Sequence, residues 1–229
     1  MQTRTVKQAF VYVALTILSA YLSPVQAADL KQSNRAKTLE LTFSPQYMYS
    51  KSMDGANGSS LDTNDTWGWG FGLGYNFSEK LNLAWTFEWA SPNFNTTIVE
   101  ESTGNTINRS GTLSTSSSFL TGTYNFMEKT LTPFVSASLG AVYIDSHIPN
   151  ADTSTGCWWT WYGYYCGTYE STYSTSSFSY GLGLGARWDI GESVFVKAAY
   201  NVSWIDDLGN TGTQDFDAIL ITIGIMMEK

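Results

Sequence analysis

Beyond residue 27, this chain has no apolar run approaching the ~20 residues that a membrane-spanning helix needs. A helical membrane protein is therefore excluded. The chain has a single histidine, His147, and two cysteines, Cys157 and Cys166. That is too sparse a set for a metal centre. No glycine-rich phosphate loop or nucleotide motif is present either, so no cofactor is expected. Charged residues make up only 14% of the chain, little for a soluble domain surface. Basic charge is scarcer still: without Arg4 and Lys7, 10 basic residues stand against 20 acidic ones, a net charge of −10. Such a balance argues against a nucleic-acid partner, which wants a basic face.

What is present begins with an export signal. Arg4 and Lys7 precede the apolar core Phe10 to Leu18, and Val25-Gln26-Ala27 supplies small residues for cleavage. Residues 1–27 are read as a secretory signal peptide, whose apolar core is too short for an anchor. Residues 28–37 are polar and unpatterned, a lead-in on the exported side. Residues 38–229 then form one domain.

Within that domain the stretch Trp67 to Phe77, WGWGFGLGYNF, sets the theme. Trp67, Trp69, Phe71, Leu73, Tyr75 and Phe77 fall on one side of a period of two, and Gly68, Gly70, Gly72, Gly74 and Asn76 on the other. Strict alternation is the pattern of a strand with two different surroundings. Large apolar side chains facing outward and glycine facing inward suit the wall of a narrow membrane barrel. Similar alternation predicts eight strands near 38–49, 67–77, 81–90, 112–126, 131–146, 176–188, 194–204 and 216–227. Pro45 should bring a bulge or an early end to the first.

The connections alternate long and short. Residues 78–80, 127–130 and 190–192 are tight turns, whereas 51–65, 91–111, 147–173 and 205–215 are long polar loops. Two length classes on opposite ends are expected of a barrel with short periplasmic turns and long extracellular loops. They are not expected of the alternative, a secreted β-sandwich.

The segments WGWGFGLGYNFSEKLNLAWTFEW, LTPFVSASLGAVYID and FSYGLGLGARWDIGESVFVKAAY each join an alternating strand to its neighbour or flank a tight turn. In this the chain resembles the small eight-stranded outer-membrane β-barrels of Gram-negative bacteria, the superfamily of outer-membrane proteins A, X and W and the opacity proteins. The resemblance covers Thr38 to Met227. The chain departs from the family in ending Met227-Glu228-Lys229 rather than on an aromatic residue. The resemblance implies an all-β, eight-stranded antiparallel up-and-down barrel in the Gram-negative outer membrane. It also implies contact with membrane lipids and lipopolysaccharide, and passage through the barrel-assembly machinery. A non-enzymatic, narrow porin-like role for small, even hydrophobic, solutes follows from the likeness to protein W. The alternatives are adhesion to a host surface or phage, or envelope stabilisation, through the loops. More remote is a lipid A-modifying enzyme, because Asp145-Ser146-His147 are adjacent on one strand and cannot all converge.

Candidate residues follow from parity. Glu40, Glu88, Arg187 and Lys197 face inward, where charge survives only if paired and hydrogen-bonded. They are read as a lumen charge network, either a fixed filling or a gate. The inward glycines are read as packing space and curvature in preference to a channel. Aromatic residues near strand ends, among them Trp67, Trp89, Tyr124 and Trp204, should form interfacial girdles. Cys157 and Cys166 of an exported chain are expected to pair. They would clamp an aromatic tip of Trp158, Trp159, Trp161, Tyr162, Tyr164 and Tyr165 that packs on the barrel mouth or meets a partner.

Overall fold

A computed structural model describes residues 31–54, 58–99, 105–160, 163–206 and 212–228. The expected signal peptide lies outside the described residues. Twelve strands run in chain order: β1 (Leu39–Met48), β2 (Lys51–Asp54), β3 (Ser60–Thr63), β4 (Thr66–Asn76), β5 (Leu81–Ala90), β6 (Asn93–Val99), β7 (Thr106–Thr112), β8 (Ser114–Asn125), β9 (Leu131–Thr160), β10 (Gly163–Ile190), β11 (Val194–Ile205) and β12 (Gln214–Met227). Eight of them close an antiparallel barrel in the order β1-β12-β11-β10-β9-β8-β5-β4, with β4 returning to β1. Closure leaves no strand edge, the one arrangement in which strands satisfy their backbone polar groups in lipid.

The wall is turned as its alternation requires. Trp67, Trp69, Phe71 and Leu73 of β4 are exposed on the outside, as are Ile221, Ile223 and Ile225 of β12. A soluble sheet would bury these residues; here they form a band for lipid. Trp69 stacks on Trp89 at 4.7 Å, and Tyr180 on Trp204 at 5.5 Å, near one end of the barrel. Tyr75–Phe77 and Tyr124–Phe126 make edge contacts near the other. Between Trp67 and Phe77 lie ten strand steps, about 33 Å of strand and about 25 Å of height once tilted. That matches the apolar band of an outer-membrane barrel. In the middle of the band, the Trp85 indole donates to Ser118 Oγ at 2.8 Å, so a lipid-facing N–H keeps a partner.

Pro45 causes neither a bulge nor an early strand end. Against β4 the pairing is continuous, including Pro45 with Trp69. Against β12 it runs from Phe43↔Ile223 to Gln46↔Leu220 in one register, skipping Ser44 and Pro45. Proline has no N–H to offer that seam. The side chains bridge the gap instead, Ser44 Oγ lying 2.8 Å from Thr222 Oγ1.

Three of the long connections differ from the expected loops. Residues 51–65 and 91–111 contribute β2, β3, β6 and β7, which form a separate sheet in the order β2-β3-β6-β7. Met53 and Phe94 are its buried apolar residues. Most of residues 147–173 continue β9 and β10 as a hairpin past Asp145, the last β9 residue paired with β8. A register shift near Pro149 and Thr172 marks where the hairpin leaves the barrel wall. Beyond the lipid no oily medium faces one side of a strand, so strict side-chain alternation is not required while the backbone ladder continues. Polarity alone therefore reads as loop.

Leu73 sits mid-band on the outer face. Leu73→Arg is expected to destabilise the barrel by about 2–4 kcal/mol, the cost of a cation near the bilayer midplane. Urea unfolding in phospholipid vesicles measures it, with the luminal Thr86→Ser as a reference expected to change little.

Candidate functional site

The lumen is filled unevenly, and the filling begins with glycine. A side chain at Gly74 would meet Asn82, one at Gly70 would meet the Glu88 stem, and one at Gly68 would meet the Gln46 amide. The bare face of β4 is thus a bed for polar side chains reaching in from β1 and β5. Gly224 of β12 does the same for the Phe195 ring, which is fully buried.

At the short-turn end these side chains form a string of alternating charge. Lys197 Nζ lies 3.2 Å from Glu40 Oε2. Arg187 holds Glu40 Oε1 at 2.6 Å through one nitrogen and Asp189 Oδ1 at 2.6 Å through another. Asp189 Oδ2 then meets Arg35 at 2.7 Å and accepts from the Ser33 hydroxyl at 2.8 Å. Glu79 closes the string 3.7 Å from Arg35. Three bases face three acids, so the string is neutral. Each charge is hydrogen-bonded, the condition under which buried ions are tolerable. Glu40 also accepts from Asn76 at 2.8 Å and Asn82 at 3.2 Å, four donors in all. The Phe195 ring supports both cations, 4.0 Å from the Arg187 guanidinium and 4.8 Å from Lys197 Nζ.

Arg35 was not expected here. It belongs to the polar lead-in, yet its side chain is fully buried and donates to the backbone carbonyls of Glu79 at 2.5 Å and Met127 at 2.7 Å. It ties two of the tight turns to Asp189. Burial pulls its guanidinium below the usual value, and Asp189 and Glu79 act against that shift. A lone base in an unpatterned segment gives no sequence signal. Asp189 gave one: it lies two residues beyond inward-facing Arg187, so parity alone points it into the lumen.

Of the four charges read from parity, Glu40, Arg187 and Lys197 come together and Glu88 does not. Glu40 lies opposite Gly74 and Glu88 opposite Gly70. Four strand residues separate those levels, about 13 Å. Glu88 has the Gln46 side chain as its hydrogen-bonding neighbour and no ion pair among the described residues.

Above the string are two cavities. The smaller, about 90 Å³, is walled by Glu40, Thr42, Ser44, Lys197 and Thr222 among others. The larger, about 330 Å³, lies toward the opposite end and is mainly apolar, with Met53, Phe119, Val142, Ile205 and Phe216 in its walls. Glu88, Thr121, Ser136, Asn201 and Leu220 border both. Met53, Leu61 and Thr63 of the outer sheet complete the larger cavity.

Residues 13–226 match the family described as the outer membrane protein beta-barrel domain. The chain belongs to that family. Its barrel is therefore an outer-membrane barrel, with the tight turns and the ion string on the periplasmic side. Among solved structures, neisserial surface protein A is similar with a TM-score of 0.51 and 11% identity, over 83% of this chain and 97% of that one. Outer membrane protein OprG of Pseudomonas aeruginosa has a TM-score of 0.50 and 12% identity, over 86% and 99%. At such identities the likeness is one of fold. No curated protein matches the chain in sequence.

The remaining candidates lie on the β9–β10 hairpin. Its register sets Cys157 opposite Cys166. Trp161 and Tyr162 lie outside the described residues, as do the side chains of Cys157, Trp158, Trp159, Tyr164, Tyr165 and Cys166. His147 falls in the same category.

Replacing Glu40 leaves Lys197 buried without its carboxylate and Arg187 with Asp189 alone. Glu40→Ala is expected to cost about 3–5 kcal/mol, the usual penalty for breaking a buried pair from one side. The measurement is urea unfolding in vesicles, and Glu40→Gln should recover part of the loss through its retained oxygen.

Proposed function

We propose that this chain is a non-enzymatic outer-membrane barrel, porin-like in a narrow sense, that takes small, mostly apolar solutes into its lumen from the extracellular side. The observation that carries this reading is the apolar cavity of about 330 Å³ in the outer half of the lumen. Pockets of this size and lining suit small organic molecules rather than ions or water. A straight aqueous pore is the wrong picture, because eight strands leave no wide lumen and the ion string fills the periplasmic end. Exit sideways fits better. The β1–β12 seam lacks ladder pairs at Ser44 and Pro45, and Ser44 and Thr222 line the small cavity beside it.

Thr121 borders both cavities, so Thr121→Trp should block them without touching the ion string. Benzyl alcohol binding to the barrel in nanodiscs, followed by saturation-transfer NMR, is expected to weaken about tenfold or more, at least 1.4 kcal/mol. The variant should keep the heat-modifiable gel shift of a folded barrel. Undiminished binding would reject the cavity as the solute site.

A second reading rests on the hairpin. From Asp145 to Thr160, β9 runs 15 residues past its last partner on β8. That is about 50 Å of extended chain, more than closing a barrel requires. It carries the cysteine-bracketed aromatic segment outward, as a surface that adheres to a host cell or phage would need. Deleting Thr155 to Thr168 should abolish adhesion of expressing cells while the barrel remains heat-modifiable. Unchanged adhesion would leave the hairpin without this role.

A further inference from the structure

Among the described residues, Glu88 is the one luminal carboxylate that the ion string does not use. It stands where the two cavities meet, flanked by Thr121, Ser136 and Asn201. No basic side chain among the described residues pairs with it, and its hydrogen-bonding neighbour is the Gln46 side chain. A second acceptor borders the same junction. Asn201 Oδ1, packed into the space over Gly183, is buried and has no hydrogen-bond partner. Unpaired acceptors inside a protein are costly, and a carboxylate most of all. A carboxylate without a cation and an amide oxygen without a donor, bordering the same two cavities, make a place for a charged donor from outside.

The surroundings say what kind of donor. Above Glu88 the wall is apolar, formed by Phe119, Val142, Ile205 and Phe216 around the larger cavity. A bare metal ion would gain nothing from that wall. An ammonium carried on a compact apolar body would use both parts, the N–H groups reaching Glu88 and Asn201 while the body fills the cavity above. We infer that the junction of the two cavities is a binding site for small organic ammonium compounds, with Glu88 as the charge partner and Asn201 as a second acceptor.

This rests on the cavity being the solute site and adds charge selectivity to it. The test uses the full barrel in nanodiscs with three water-soluble probes of one shape: benzylammonium, benzyl alcohol and benzoate. Saturation-transfer NMR titrations, with empty nanodiscs as background, give the affinities. Wild type is expected to prefer benzylammonium to benzyl alcohol by about tenfold or more and to reject benzoate. Glu88→Gln, which keeps size and hydrogen bonding, should bring that ratio near one while leaving benzyl alcohol binding and the heat-modifiable shift unchanged. Asn201→Ala should lower the preference several-fold. Equal affinity of wild type for the amine and the alcohol overturns the ammonium site but leaves the cavity reading standing. So does a preference that survives Glu88→Gln. Absence of binding by either probe overturns both.

Discussion

Glu40 is the residue on which this barrel's interior depends. The backbone ladder closes the wall, but a closed wall of eight strands can still flatten or breathe. Glu40 fixes its cross-section. From β1 it accepts Asn76 of β4, Asn82 of β5, Arg187 of β10 and Lys197 of β11, so one carboxylate ties five of the eight strands across the lumen. Its charge makes these bonds strong, and the two cations make its burial tolerable. Asp189 repeats the device one level lower and hands it to Arg35, which reaches the carbonyls of the turns. The periplasmic end is thus solid, through directional bonds rather than apolar packing.

A solid lower end gives the upper half its character. Every base in the string is matched by an acid within it, so none is left to neutralise Glu88 higher up. The large inward side chains are also divided by level. Phe195 lies within the string, where it flanks two cations, whereas Phe119, Val142 and Ile205 cluster in the outer half with Ile144 and Phe216 packed against them. The glycines of β4 do not create this space. Their missing side chains are already filled by Gln46, Glu88, Thr42 and Asn82. The cavity comes instead from Ser, Thr and Ala positions on β8, β9 and β12, whose side chains are too short to meet in the middle.

Where the chain meets two different media, its residues could be read directly. Trp67 to Phe77 alternates because lipid lies on one side and packed protein on the other, and the same contrast placed all eight barrel strands. Glu40, Arg187 and Lys197 could be placed inside by parity alone. Parity gives the face but not the height, and so Glu88 joined a network from which about 13 Å of strand separates it. Height depends on the register between strands, and a single sequence does not state register. The hairpin and the outer sheet were missed for a related reason: above the membrane no lipid imposes a regular apolar face, and polar stretches that form strands there read as loop. Arg35 was hidden because it lies in an unpatterned segment and draws on the backbone carbonyls of two turns as well as on distant carboxylates, none of which marks it in the sequence.

Pro45 links these observations to function. Within lipid, a backbone carbonyl deprived of its donor costs free energy, and few barrels would carry that cost without a compensating use. On β4 the pairing is undisturbed, so the omission falls on the β1–β12 seam alone. A hydroxyl pair, Ser44 with Thr222, spans the gap on the lumen side, a contact far easier to open than a backbone ladder. Those two hydroxyls also line the small cavity, directly beyond the Glu88 junction. On the proposed solute role, a solute that has passed the junction meets the ion string below it and, beside it, a stretch of wall where the ladder is interrupted at two residues and spanned by one hydroxyl contact. The path of least resistance on that role runs through the wall and into the bilayer, a route open to solutes apolar enough to enter lipid.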